Sequence, residues 1–303
     1  MKVRASHCRR VIVLGILTAT LSYLSTSAEA TLRTVAMGTQ QRVTNRPANP
    51  NGAVFVAEYH HIRSGKNDMF RSADNFRRDL EQFYAMGFRP VLASQYLANR
   101  INIPSGALPL VMTFDDAVPS QLQLTPTGQP TPDCAIGIWQ DFARRHPDFP
   151  VRATFFVLPD SMWGPKRDVK RKIDLLKRLG CELENHTITH PKLKKLTDDK
   201  VMEELGKAED RLASNGQSGP HSLALPYGIS PKNANILKGF DWHGNRITFT
   251  GVFLVGANPA PSPNSPKFNR YRVPRIMANS GPYGIDFWLK KLSQGQVKPY
   301  VQP

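Results

Sequence analysis

The sequence predicts an α/β fold built on a parallel sheet, either open or closed into a barrel. Strand-like and helical patterns alternate along most of the chain, which is the signature of parallel strands joined by crossover helices. Polar residues able to do chemistry gather just past the ends of the strand-like runs, where such folds place their sites. No internal repeat interrupts this pattern. With 303 residues, 40% of them hydrophobic and 21% charged, the chain can bury a full core.

Residues 31–52 are polar and Pro-containing without apolar periodicity, which predicts a flexible lead-in before one domain over 53–303. Ala53–Tyr59 reads as a strand. Phe76, Leu80, Phe83, Tyr84 and Met86 recur at helical spacing, with Gly87 as a stop signal. Pro90–Ala93 suggests a second strand, and Leu108–Phe114 is the clearest apolar run of all, leading directly into Asp115 and Asp116. The Pro/Gln/Thr-rich stretch from Pro119 to Asp133 predicts a long surface loop. The alternation then resumes: helix Ile136–Arg145, strand Ala153–Leu158, basic amphipathic helix Val169–Leu179 closed by Gly180, and strand Cys181–Glu184 ahead of His186. Helix Asp198–Ala213 starts behind Thr197, a good N-cap. Strand Ser222–Leu225 ends at Pro226-Tyr227-Gly228, and Thr248–Val255 and Tyr271–Ile276 read as later strands.

Lys2, Arg4, Arg9 and Arg10 precede the apolar run Val11–Leu24, and Ala28-Glu29-Ala30 follows. This order predicts a secretory signal peptide over residues 1–30, hence a secreted, periplasmic or cell-surface protein. No later segment is apolar enough to suggest a transmembrane span. Taking away the four basic residues and Glu29 of that segment lowers the net charge from +16 to +13. Such a basic protein adheres to anionic surfaces, but its lysines and arginines are dispersed and accompany no nucleic-acid-binding motif, so nucleic acid is not an expected partner. Cys134 and Cys181 remain after export. An oxidising compartment permits their pairing, but sequence does not place them together.

Three clusters stand at strand ends: Thr113-Phe-Asp-Asp116, His186-Thr-Ile-Thr-His190, and Leu225-Pro-Tyr-Gly228. Alone, adjacent aspartates are commonly turn residues, and a single His pair is weak evidence. Together they offer two imidazoles and a carboxylate for a divalent metal, with zinc favoured and cobalt, nickel or manganese compatible. A second carboxylate beside the ligand can stay off the metal and take a proton from water, the division of labour that metal-assisted hydrolysis requires. Pro191 disfavours helical backbone at His190, so the histidine turn is expected to be irregular.

These motifs resemble the polysaccharide deacetylases of carbohydrate esterase family 4, the NodB-homology group. The resemblance runs from about Ala53 to Ile276. It rests on Tyr59-His-His-Ile62, Pro109-Leu-Val-Met-Thr-Phe-Asp-Asp-Ala117, Ala153-Thr-Phe-Phe-Val157 and Gly180-Cys-Glu-Leu-Glu-Asn-His-Thr-Ile-Thr-His190. It implies a distorted (β/α) barrel in which Asp115 is the base and Asp116, His186 and His190 hold the metal. It further implies a polysaccharide substrate, the backbone N–H of Tyr227 as an oxyanion donor, and substrate contacts at Pro226 and Tyr227.

The departures matter as much. Ala117 stands where the family has glycine. Ala224 stands where its Arg-x-Pro-Tyr-Gly motif has the arginine that orients the base, so Arg272 or Arg275 is the expected substitute. No histidine follows His243 to serve as the late general acid, which leaves His60 or His61 as the nearest replacement. Trp163, Trp242 and Trp288 are candidate sugar-stacking platforms. The reaction expected is removal of N-acetyl groups from an amino-sugar polymer, with peptidoglycan, chitin-like chains and poly-N-acetylglucosamine all compatible. A metal-dependent amidase for a small substrate and a barrel that only binds polysaccharide are the alternatives.

Overall fold

The computed structural model describes residues 43–303. In chain order its strands are β1 (Ala53–Tyr59), β2 (His61–Ile62), β3 (Phe70–Arg71), β4 (Phe88–Val91), β5 (Leu108–Asp115), β6 (Thr154–Val157) and β7 (Glu182–Asn185). There follow β8 (Leu223–Ala224), β9 (Phe240–Trp242), β10 (Asn245–Ile247), β11 (Val252–Phe253), β12 (Ala260–Pro261) and β13 (Ile276–Met277). The helices are α1 (Ala73–Ala85), α2 (Ala93–Leu97), α3 (Ala135–Arg145), α4 (Lys166–Leu179), α5 (Asp198–Ser214) and α6 (Ile285–Ser293).

The main sheet runs β11–β8–β7–β6–β5–β1–β12, with β4 added beside β5 and β13 beside β1. The β4, β5, β6, β7, β8 and β11 pairings are parallel, as are β1–β5 and β1–β13, and only β12 is antiparallel within it. One segment bridges its two ends: Val273 forms a parallel bridge to Phe253 of β11, and three residues on Ile276 pairs with Ala57 of β1. The sheet thereby curls into a distorted (β/α) barrel.

Strand periodicity sorts the side chains. On β1, Phe55, Ala57 and Tyr59 join the outer core beneath the helices, whereas Val54 and Val56 join a separate interior cluster with Val111, Phe156, Ala224, Phe253 and Val273. Continuing the interior register places Glu58 and His60 of the β1 region, and Thr113 and Asp115 of β5, toward the inside. All four are buried. The helices meet the sheet through apolar stripes such as Phe76, Leu80 and Phe83 of α1. Thr197 caps α5 by accepting from Lys200 N, and Gly180 closes α4 at φ 78°, the left-handed conformation that glycine adopts without a Cβ clash.

Two expectations need correcting, and the open question of the cysteines is answered. The lead-in is tied down from Val43 onward. Val43 N donates to Ser105 O, Thr44 Oγ1 donates to Gly106 O, and Asn49 pairs with Val301, so residues 43–52 pack as part of the domain. The Thr248–Val255 and Tyr271–Ile276 runs shrink to Val252–Phe253 and Ile276–Met277, because their partner β8 is itself only two residues long and the closing segment changes neighbours at Pro274. Cys134 and Cys181 are both buried free thiols, and burial pushes that of Cys181 up to about 12. The expected signal peptide lies outside the described residues. Among the described residues no helix is long and apolar enough to cross a membrane.

Candidate active site

β5 delivers Asp115 as its last residue, and the chain then turns sharply outward. Asp116 and Ala117 both have positive φ, 70° and 50°. Such a pair strains any residue with a Cβ, which is a physical reason for glycine at the second position in the family and a cost carried here by Ala117. The turn separates the two carboxylates: Asp115 points into the barrel, and Asp116 points to the histidines. Gln121 supports it from beneath, its Nε2 donating to Asp115 O (2.5 Å) and His60 O (3.0 Å).

The histidine loop is irregular, with φ of 68° at Thr187 and 58° at His190, as Pro191 leads one to expect. It is held from α5. Glu204 accepts from Ile188 N (3.2 Å), Thr189 N (2.9 Å) and Thr189 Oγ1 (2.7 Å). Asn185, anchored to Glu209 and Leu205 O, accepts from Thr187 N. Sequence reasoning missed Glu204 and Asn185, which sit in ordinary helix and strand patterns.

Asp116, His186 and His190 each offer one ligand atom, all within 4.8 Å of one another. His186 Nδ1 lies 2.8 Å from Ala224 O. A carbonyl only accepts, so Nδ1 carries a proton and Nε2 is left facing Asp116 Oδ1, 3.4 Å away. His190 Nε2 is 3.6 Å from the same oxygen. Asp116 Oδ1 and His186 Nε2 are both buried without a hydrogen-bond partner. Acceptors converging in this way require a cation or an extra proton between them. The wider charge balance agrees, since the carboxyls of Asp115 and Asp116, both lowered in pKa, face a single guanidinium. The donor set therefore fits a divalent metal ion.

That guanidinium belongs to Arg275, fully buried on the closing segment. Nη1 and Nη2 each donate to an oxygen of Asp115, both at 2.7 Å, Nε donates to Leu254 O at 2.8 Å, and Nη1 also reaches Thr113 Oγ1 at 3.1 Å. Arg272, the other expected substitute, is exposed. Burial alone would raise the Asp115 pKa, but Arg275, with His186 and His60, outweighs it and holds the carboxyl well below the usual range. The Asp115 carboxylate is thus ionised and held in one orientation.

His60 Nε2 lies 3.9 Å from Asp115 Oδ2 and 3.9 Å from Glu58 Oε1, whereas His61 stacks on Phe70 at 4.6 Å. Burial lowers the His60 pKa to about 4 against the pull of Asp115. Glu58 was missed by sequence reasoning, although its place in the alternation after Val54 and Val56 signals an inward carboxylate. It accepts from Gly256 N at 2.9 Å and lies 3.4 Å from Arg275. Burial raises its pKa to about 7, with Asp115 adding to the rise and Arg275 opposing it.

The Tyr227 ring is 4.7 Å from that of His190, half-exposed above buried Pro226, with φ of 57°. Trp163 is no sugar platform: it is fully buried, packed edge-on against Phe155. Trp242 hydrogen-bonds Asp210 and packs on Gly206 of α5, while Trp288 donates to Ala257 O.

Residues 147–243, carrying the histidine and Pro-Tyr-Gly motifs, match the family model for polysaccharide deacetylases. No curated protein matches the sequence. Three solved structures share the fold. The deacetylase PplD of Streptococcus pyogenes, in complex with acetate, is 16% identical over 84% of this chain and 100% of that chain, with a TM-score of 0.54. A polysaccharide deacetylase from Bacillus cereus is 18% identical over 80% of this chain and 69% of that one (TM-score 0.58). IcaB from Ammonifex degensii is 18% identical over 81% and 98% (TM-score 0.54). Residues 147–243 therefore resemble the polysaccharide deacetylase family, and the barrel as a whole has the fold of these solved structures.

Proposed function

We propose that the protein is an exported, metal-dependent hydrolase that removes N-acetyl groups from an amino-sugar polymer. One observation carries this reading: an ionised Asp115, clamped in two-point fashion by Arg275, stands beside the separate ligand set of Asp116, His186 and His190. A divalent ion held there, zinc by its preference for two imidazoles and a carboxylate, supplies Lewis acidity to an acyl oxygen and acidifies water.

The chain's own groups do the rest. Asp115 takes the proton of the attacking water. The backbone N–H of Tyr227 is the proposed donor to the developing oxyanion. His60 is the proposed donor to the departing amine. It is neutral near pH 7, so it must gain that proton during turnover, and Asp115 at 3.9 Å, having just taken one, can supply it.

Acetate release from N-acetylglucosamine oligomers with added zinc or cobalt tests the activity. Asp115→Asn should abolish release while metal content stays near one ion per chain. Loss of metal from that variant would show that the two aspartates have been given each other's roles. Bound metal with no acetate released by the parent protein would favour a barrel that only binds polysaccharide.

A further inference from the structure

Among the described residues, the large hydrophobic side chains that remain exposed are Tyr227, Val255 and Tyr283. All three stand in loops that leave the C-terminal ends of strands: β8, β11 and β13 respectively. This is the end of the barrel at which Asp116, His186 and His190 meet. Exposed apolar groups gathered at one place mark a binding surface more often than a surface scattered at random does.

Contacts join these groups into one strip. Tyr227 touches His190, and a Cβ added to Gly228 would lie 3.0 Å from Val255 Cβ, so Val255 packs beside the turn bearing Tyr227. Two residues further, Ala257 O accepts from Trp288 Nε1 at 3.0 Å. The Trp288 ring meets Phe287 at 5.1 Å, and Phe287 meets Tyr283 at 5.2 Å. Both halves are moored to Glu58: Gly256 N donates to its carboxylate, and Ala278 N, at the start of the loop to Tyr283, donates to its carbonyl. Tyr283 itself holds φ at 62° with its side chain 57% exposed. An aromatic residue kept in the left-handed region gains no burial there to offset the strain, which points to a use for the ring.

We propose that this strip binds the sugar units next to the reacting one, pyranose C–H faces lying on the rings of Tyr227, Trp288, Phe287 and Tyr283. The electron-rich ring faces suit such C–H edges. Lys192 and Lys291 stand 5.1 Å from the Tyr227 ring and 5.4 Å from the Phe287 ring, so the strip disfavours a chain of free, protonated amines. The occupant is therefore an N-acetylated chain several units long and not its deacetylated, cationic form. This inference rests on the deacetylase reading for the identity of the chain, but its test needs no turnover.

Titration calorimetry on zinc-loaded Asp115→Asn protein would compare N-acetylglucosamine with its β-1,4 and β-1,6 pentamers. At least one pentamer should bind tenfold or more tightly than the monomer. Tyr283→Asn, chosen because asparagine tolerates positive φ, and Phe287→Ala should each weaken that pentamer about five- to tenfold in the same background. Far-UV circular dichroism and thermal melting establish that both variants fold. Equal affinity for monomer and both pentamers would overturn the proposal, as would unchanged pentamer binding in both variants. Length-dependent binding without acetate release by the parent protein would leave the strip standing and sink the deacetylase reading. Acetate release with length-independent binding would do the reverse.

Discussion

Replacing Arg275 separates its two contributions, charge and orientation. The guanidinium makes four hydrogen bonds from a fully buried position and lies close to a second carboxylate, Glu58. Arg275→Ala leaves Asp115 and Glu58 buried without their cation, a change that costs about 3–5 kcal/mol when one partner of a buried pair is lost. Against a typical total of about 5–15 kcal/mol, the variant folds but melts at much lower temperature. Arg275→Lys keeps the charge and loses the fork, since an ammonium cannot hold both oxygens of Asp115 in one plane. Its stability should fall by less than that of the alanine variant. Its kcat should drop about 10–100-fold, the usual cost of removing a group that orients a catalytic residue. The decisive variant is Ala224→Arg combined with Arg275→Ala. Ala224 shares the interior cluster with Phe156, whose ring lies 5.5 Å from the Arg275 guanidinium, and it stands at the motif position where the deacetylases it resembles carry arginine. The exchange should recover at least tenfold of the activity lost in Arg275→Ala. Acetate release and thermal unfolding read the two effects apart. Full activity in Arg275→Lys would refute the orienting role, and an unaltered melting temperature in Arg275→Ala would refute the charge balance.

Two further outcomes follow from carboxylates outside the Asp116, His186 and His190 set. Glu204→Ala removes the acceptor of three hydrogen bonds from the histidine loop and should weaken zinc binding about 10–100-fold, read by competition with a chelating dye. Unchanged affinity would show that the loop holds its strained shape without α5. Glu58 keeps its proton to about pH 7 in the folded chain but only to about 4.5 unfolded, so across that window the native state carries the extra proton. Stability therefore falls as pH rises from 4.5 to 7, by about 3 kcal/mol for this one group at 1.36 kcal/mol per unit. In chelator, Glu58→Gln should lack that slope whatever its overall offset, and urea midpoints with the same pH dependence in both proteins would contradict the buried, proton-holding carboxylate.

The sequence and the structure part company where local pattern stops carrying the information. α1, α4 and α5 announce themselves because their apolar stripes and caps are local features. β5 does so because it is buried on both faces and reads as a nearly continuous apolar run, interrupted by Thr113, before Asp115. Glu58 was legible in principle, as the alternation of Val54 and Val56 predicts its direction, but a single carboxylate in a strand-like run looks like an edge or solvent-facing residue. Arg272 and Arg275 could not be told apart at all. They lie in a segment with two residues of strand, whose register is fixed by a bridge to β11 at one end and pairing with β1 at the other. Trp163 fails for a different reason: an aromatic residue beside a strand end is equally suited to stacking on sugar or on Phe155, and only packing decides.

The two departures from the family motifs share one physical explanation. Inside a closed barrel, inward positions on neighbouring strands point at the same small volume, so a group can be supplied from any of several places in the chain. Arg275 reaches Asp115 from the closing segment next to β11, the strand that pairs with Ala224 of β8. His60 approaches the same carboxylate from the end of β1, on the other side of β5. Reading motifs in linear order scores both as missing. Reading them by the volume they fill finds a buried arginine on the base and an imidazole beside it. Neither would persist in a decayed barrel without expense, because an unemployed buried guanidinium and an unemployed buried imidazole are each costly to keep. Their placement around an ionised Asp115 supports the proposal that the altered motifs form a rearranged active site.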